Sequence, residues 1–345
     1  MILPHQALQP SFSCRLLDGY DFGKVKECVS NEEYGIYYYR QGLIRTNSNL
    51  PFFVASPKLF AVMNDKTRKR TISLNDKQVN IYGMVDIIDD VCSGVKTYNN
   101  KKYIKSINGT QGYDAITQSQ IYKGSYSKDL MKGLKGNQSY IMFEKGGESI
   151  DDNGDLSHIY KPSDFYINWT KETIDEINSA SGLRNKNRYF EEGISFSESG
   201  VYSPVFRYFS GCLFANSCPV IFLKDKKHIF YILALLVSTP IRYVLKNYLN
   251  HTVHTLLEDI RDVPISDIIF DVEQLSKIIC TAIEKLKIES SADRGLFVLE
   301  IDKLVYKAYG LNAEDIAEVE NWYARRYPKL SQAQKANLRK LNSTI

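Results

Sequence analysis

The sequence predicts a mixed α/β (α+β) protein, in which a sheet-rich domain of about 190 residues is followed by a helical C-terminal appendage. Three observations predict it. Residues 79–223 set aromatic and β-branched residues among polar ones and are interrupted repeatedly by glycine, the pattern of short strands and turns. One apolar run, Ile229–Val237, follows them. Beyond residue 271, apolar residues recur at helical spacing.

Each element has a local reason. "YGIYYYRQG" (34–42) reads as an aromatic strand. "SPKLFAVMND" (56–65) reads as a helix, with Ser56 as N-cap, Pro57 in the first turn, and Leu59, Phe60 and Met63 as its apolar face. After the polar break at 65–70, "VNIYGMVDIID" (79–89) is strand-like by its β-branched content. Residues 92–107 predict a turn, a polar loop and a strand from Tyr103, and the glycines of 109–147 predict short strands and loops. Thr170 is placed to cap a helix over 169–180 that turns Ile174 and Ile177 inward. Residues 188–223 predict three or four strands, and 227–249 a buried helix broken or kinked at Pro240. Val272, Leu275, Ile279, Ala282 and Leu286 form a heptad-like seam on a helix over 271–289. A further helix over 300–311 ends at Gly310. There is no internal repeat and no low-complexity tract.

The totals exclude several classes. The chain has 345 residues, 43% of them hydrophobic and 24% charged, a globular composition that permits a sizeable core. Six scattered cysteines form no Cys-x-x-Cys pair and no signal peptide opens the chain, which together predict reduced thiols in a cytoplasm. The longest apolar run is far below the roughly 20 residues of a membrane span, so no membrane partner is expected.

Net charge is only +4, but its distribution is uneven. Residues 95–137 carry eight lysines against Asp114 and Asp129, with five tyrosines interleaved. Residues 144–176 carry nine acids against three lysines. Lysines neutralise phosphates, asparagines read base edges and tyrosines stack, so 95–137 is a candidate nucleic-acid surface. The alternative is a solvated basic face.

Chemistry of its own is harder to find. His251 and His254 stand three apart, but neither they nor Cys212 and Cys218 match a zinc spacing, and hydrogen bonding at a helix end is the plainer reading. No metal site is expected. There is no Pro-Pro pair, no glycine-rich strand-to-helix turn for adenosylmethionine or a dinucleotide, and no phosphate-binding Gly-x-x-x-x-Gly-Lys-Ser/Thr. Asp225-x-Lys227 after an apolar strand has the form of a nuclease motif, though such a pair arises easily by chance. No catalytic residue is assigned.

Five stretches, taken in order, carry a resemblance. They are "VCSGVKTYNNKKYI" (91–104), "YIMFEKGGES" (140–149), "RNKNRYFEEGISFSESGVYSPVFR" (184–207), "YILALLVSTPIRYVLKNYLNHTVHT" (231–255) and "NHTVHTLLEDIRDVPIS" (250–266). Over roughly residues 50–310 they resemble the target-recognition domains of adenine-specific DNA methyltransferases. These include the large type II restriction-modification enzymes, PglX-like methylases of phage defence, and the TaqI-like C-terminal specificity domain. The first stretch is similar to the family's Gly-x-x-Thr-x-x-Asn-x-x-Tyr/Phe segment. The family's catalytic half, with its Pro-Pro loop and adenosylmethionine site, has no counterpart here.

The resemblance implies a division at 1–76 (a segment docking on or continuing from a methylase half), 77–268 (the target-recognition domain) and 269–345 (a helical spacer and tail). It implies double-stranded DNA and a methyltransferase domain or subunit as partners, with no cofactor in this chain and S-adenosylmethionine in the methylase half. The implied DNA-binding residues are Lys96, Thr97, Asn99, Asn100, Lys101, Lys102, Tyr103, Lys145, Arg184, Asn185, Arg207, Asn250, His251 and His254. Among them Arg184, Asn185 and Arg207 are best suited to base edges, unless Arg184 is a helix-end residue and Arg207 pairs internally with Glu191 or Glu192. A stand-alone specificity subunit of a multi-subunit restriction system stays open, as does a protein-interaction module using the 271–289 helix.

Overall fold

The computed structural model describes residues 11–15, 36–40, 56–63, 70–147, 150, 154, 156–200, 203–250, 252–265 and 272–343. The architecture is mixed α/β, with several sheets and a helical C-terminal region, as the alternation and helical spacing predict.

Two four-stranded sheets form the strand-rich part. The first has the order β10 (Phe206–Phe209), β9 (Gly193–Phe196), β12 (Val220–Leu223), β5 (Ile88–Cys92), and its pairings are antiparallel. The second has the order β11 (Leu213–Phe214), β7 (Tyr140–Glu144), β8 (Phe165–Asn168), β6 (Ile104–Ser106). In it β11 runs parallel to β7, and β7 and β6 are antiparallel to β8. Residues 188–223 thus supply the four strands β9 to β12. Two hairpins complete the strand list, β1 (Ser11–Arg15) with β2 (Ile36–Arg40) and β3 (Arg70–Leu74) with β4 (Lys77–Ile81).

The strand expected over 79–89 is instead split. β4 ends at Ile81, the helical turn α2 (Met84–Ile87) follows Gly83, and β5 starts a separate pairing. Asp86 accepts from the amides of Tyr82 and Gly83 at 2.7 and 3.1 Å, a local cap that competes with an extended chain. α1 (Pro57–Met63) forms as predicted, as does α4 (Lys171–Ser179), where Thr170 accepts from Thr173 N at 3.3 Å.

The apolar run builds the hub of the larger core. α5 (Ile229–Val237) is buried at every position except the partly exposed Phe230. It ends where Ser238 turns extended (φ −67°, ψ 143°), and α6 (Thr239–Val244) begins with Pro240 in its first turn. Among the described residues, no single helix is long and apolar enough to cross a membrane. Residues 226–237 and 239–249 pass that test only together, and they bend by 65° at the break.

α8 (Val272–Ile288), α9 (Arg294–Ala308), α10 (Ala313–Arg326) and α11 (Pro328–Ser343) share the core of α5 with β9, β10 and β12. The seam expected on α8 is spent there: Leu275, Ile279, Ala282 and Leu286 are buried against it. α9 begins earlier than expected, at Arg294 behind the Asp293 cap, and Gly310 follows its end with φ +63°. A second core, from Cys92 to Phe222, fills the space under the second sheet around Trp169, Tyr189 and Phe214.

One polar tether crosses the larger core. Asp302 of α9, only 4% exposed, accepts from Thr239 N at 2.7 Å and Thr239 Oγ1 at 2.6 Å, at the start of α6. Burial pushes its carboxyl up to about 7, against those two hydrogen bonds. Because the folded state holds this proton more tightly than the unfolded one, the group's stabilisation is fully present below the ordinary carboxylate range. It is lost as pH rises through about 7. We predict that Asp302→Asn, which keeps the bond from Thr239 N and replaces the other with one donated by its amide to the Thr239 hydroxyl oxygen, flattens the fall in stability between acidic and neutral pH. Asp302→Ala strands Thr239 and costs about 1–3 kcal/mol at either pH in denaturant unfolding.

Candidate nucleic-acid interface

The candidate site forms where residues 93–97, leaving β5, run between β11 and Gly182. Val95 N donates to Phe214 O and Asn216 N to Val95 O, both at 2.8 Å, and Lys96 N donates to Gly182 O at 2.8 Å. Glycine is required on both sides of this passage. A Cβ on Gly94 would stand 1.9 Å from the Phe214 carbonyl oxygen, and one on Gly182 would stand 2.2 Å from the Lys96 carbonyl oxygen.

The next residues close a compact polar loop. Thr97 is buried and its hydroxyl bonds to Asn100 Oδ1. Asn99 caps the single turn α3 (Asn100–Tyr103), accepting from Lys102 N at 3.2 Å. Tyr103 is buried and donates to Glu176 at 2.9 Å, beside the Lys102–Glu176 ion pair at 2.7 Å, whose hydrogen bond holds Lys102 above its ordinary range. Each fixed residue of Gly94-x-x-Thr97-x-x-Asn100-x-x-Tyr103 therefore has a structural duty. What the loop leaves exposed is Lys96, Tyr98, Asn99, Asn100, Lys101 and Lys102. Tyr98 is 57% exposed, in the left-handed region at φ +56°, with Lys96 Nζ 4.8 Å from its ring centre.

Lys145 arrives from the end of β7. Its ammonium lies 4.5 Å from the centre of the Tyr113 ring and donates to the Tyr113 hydroxyl at 2.6 Å. Together these segments wall an open cavity of about 280 Å³, lined by Lys96, Thr97, Tyr98, Asn100, Lys145 and Asn216 among others. Two lysines line it and no carboxylate does. Arg184 stands beside it, donating from Nη1 to Asn216 Oδ1 at 2.8 Å, and Asn185 Nδ2 donates to Ser93 O at 2.8 Å. Of the residues selected from the sequence, Lys96, Thr97, Asn100 and Lys145 line this cavity and Arg184 stands beside it, whereas Asn99, Lys101, Lys102 and Tyr103 do not line it and Lys102 and Tyr103 turn to Glu176. Asn216 and Tyr98, which line the same cavity, were not among them. Tyr98 could have been found as the exposed aromatic between Thr97 and Asn99, whereas Asn216 carries no signal before the fold brings it to Val95.

Other selected residues lie apart. Arg207 is buried in β10, donating to Ser157 O at 2.9 Å, Ser157 Oγ at 2.6 Å and Gly147 O at 3.1 Å, with Glu144 at 3.6 Å. The interior alternative is the one realised, with Glu144 in place of Glu191 or Glu192. A guanidinium so enclosed holds a loop and is not presented to a base edge. Asn250 organises the turn after residue 249: Nδ2 donates to Asp259 of the short helix α7 (Leu257–Arg261) at 2.6 Å, and Oδ1 accepts from Thr252 N at 2.8 Å. His254 is exposed and bridges to Ser199 along the backbone. His251 lies outside the described residues.

The residual chemical candidates are structural. Asp225 accepts from Asn75 N and pairs with Lys227, both at 2.8 Å, and caps the turn at 226–228. Burial pushes the Cys92 thiol up to about 12, which makes it a poor nucleophile. Among the described residues, no group of three or more His, Cys, Asp or Glu side chains could hold a metal ion.

Compared with known proteins, the chain matches no protein-family model, and no curated protein is significantly similar to it.

The burial of Arg207 generates a test. Burial holds the Glu144 carboxyl above its ordinary range, opposed chiefly by Arg207. Arg207→Ala removes the chief charge that compensates that acid and should cost about 3–5 kcal/mol in chemical unfolding. Adding Glu144→Gln to it should recover part of the loss.

Proposed function

We propose that the chain is the sequence-specific DNA-recognition module of an adenine-specific (N6) DNA methyltransferase of a restriction-modification or phage-defence system. The single observation that carries the DNA part of this reading is the open cavity at Lys96, Tyr98, Asn100 and Lys145. It offers two ammonium groups, an exposed aromatic ring and two amides, and no lining carboxylate. Phosphates need the first, sugars or bases the second, and base edges the third.

The methylase part rests on the five ordered stretches of the resemblance. In this reading the module sets register and specificity on the duplex in the cytoplasm. A partner methylase half binds S-adenosylmethionine and receives the target adenine, flipped from the stack. The residues of this chain bind and orient the duplex and supply no group to the transfer. A protein-interaction module using α8 is less well supported, since its apolar seam is already covered by α5 and α9.

The test is duplex binding measured against salt. Replacing Lys96 and Lys145 together by Ala should weaken binding to all duplexes alike and reduce the slope of log affinity against log salt by about two units. Unchanged affinity and slope would remove the cavity from the DNA interface.

A further inference from the structure

Building on the DNA-recognition reading, we propose that Asn216 is the specificity-determining residue of the cavity, and that Arg184 is the positioning residue that fixes its amide as a hydrogen-bond donor toward DNA. A guanidinium donates and never accepts, so the Arg184 Nη1 bond to Asn216 Oδ1 at 2.8 Å settles which end of the amide is which. Oδ1 is held toward Arg184, and Nδ2, with two N–H donors, is the end turned to a ligand. The backbone of Asn216 is anchored separately, by its amide bond to Val95 O at 2.8 Å. The side chain is half-buried in the cavity wall, so few other orientations remain open to it.

The charged and amide groups around it act in the same sense. Lys96 and Lys145 only donate. The Thr97 hydroxyl donates to the carbonyl end of Asn100, which leaves the Asn100 amide nitrogen as a donor, while the hydroxyls of Thr97 and Ser217, the latter donating to Lys145 O at 3.0 Å, keep only acceptor lone pairs. The ammonium and amide groups of the wall therefore face a ligand with donors, and its acceptors are the two hydroxyl oxygens of Thr97 and Ser217. Guanine shows two acceptors, N7 and O6, in the major groove. Cytosine shows the N4 amino group there, and adenine shows N6 beside N7. A fixed donor pair favours the guanine edge and opposes the amino groups. A phosphate oxygen offers the same acceptor chemistry but carries no sequence information. The arms of the test separate these two sources.

The measurement is binding-site selection from randomised duplexes with the full chain, comparing wild type, Asn216→Asp, Arg184→Lys and Arg184→Ala. Asn216→Asp keeps shape and its bond to Arg184 but replaces the outward donor with an acceptor. Wild type is expected to select guanine at one position, by about 5- to 150-fold, the range of a good bidentate contact. Asn216→Asp should lose that preference and move toward cytosine or adenine at the same position. Arg184→Ala should flatten the preference while Arg184→Lys, which still donates to Oδ1, retains most of it. Substituting 7-deazaguanine at that position should weaken wild-type binding and leave Asn216→Asp unaffected. If Asn216→Asp lowers affinity for every duplex evenly and the preferred base stays guanine, the contact is to phosphate and the proposal is overturned. If Arg184→Ala keeps the full preference, the positioning role is overturned. If wild type selects no base at any position, the recognition reading itself has failed, and this inference goes with it.

Discussion

The close passage of residues 93–97 between Phe214 and Gly182 is the constraint on which the candidate site depends. Two side-chain-free positions let three backbone segments meet, and the main-chain hydrogen bonds of Val95, Lys96 and Asn216 then fix them. Everything presented at the cavity follows from that junction. Lys96 and Tyr98 leave the passage on one side, Asn216 lines the same cavity from the turn after β11, and Arg184 follows two residues after Gly182. A larger residue at position 94 would part β11 from β5's exit and disperse these groups together.

The surrounding structure is divided between rigidity and release. α5 ties the first sheet to α8 and α9 through an apolar core, and Asp302 adds a polar tether between α9 and α6. The lysines of the basic segment are held more lightly. Lys102 faces Glu176, Lys128 faces Glu191 and Lys132 faces Asp129, all at or near the surface. Exposed pairs of this kind are weak and screened by salt. They keep the long side chains ordered and neutralised in the free protein, and each can exchange its carboxylate for a phosphate at small cost. Under the proposed function, each of these acids competes with a phosphate for its lysine and so lowers the affinity by a small amount.

Much of this was legible in the sequence. The Ser56 and Thr170 caps, the break before Pro240, the α8 seam and the strands of 188–223 each rest on local chemistry that tertiary structure did not override. The misses have physical reasons. Residues 79–89 looked like one strand because β-branched content reports burial as well as pairing, and the Asp86 cap that breaks it is a side-chain effect. α10 was readable in principle, since Asn312 accepts from Glu314 N and Asp315 N while Asp315 accepts from Asn312 N. At the site, residues near in sequence were found and those near only in space were not. Arg207 looked like Arg184 as a residue type, and only the fold separates the buried anchor from the group at the cavity.

The central claim is that DNA lies against the cavity and not against another basic face, such as 325–345, where six basic residues stand without an acid. The most direct measurement is photocrosslinking of the full chain to duplexes carrying 5-bromodeoxyuridine, followed by mapping of the crosslinked peptides. The account predicts crosslinks on the peptides that contain Tyr98 and Asn216. Crosslinks confined to 325–345, with none on those two peptides, would contradict it.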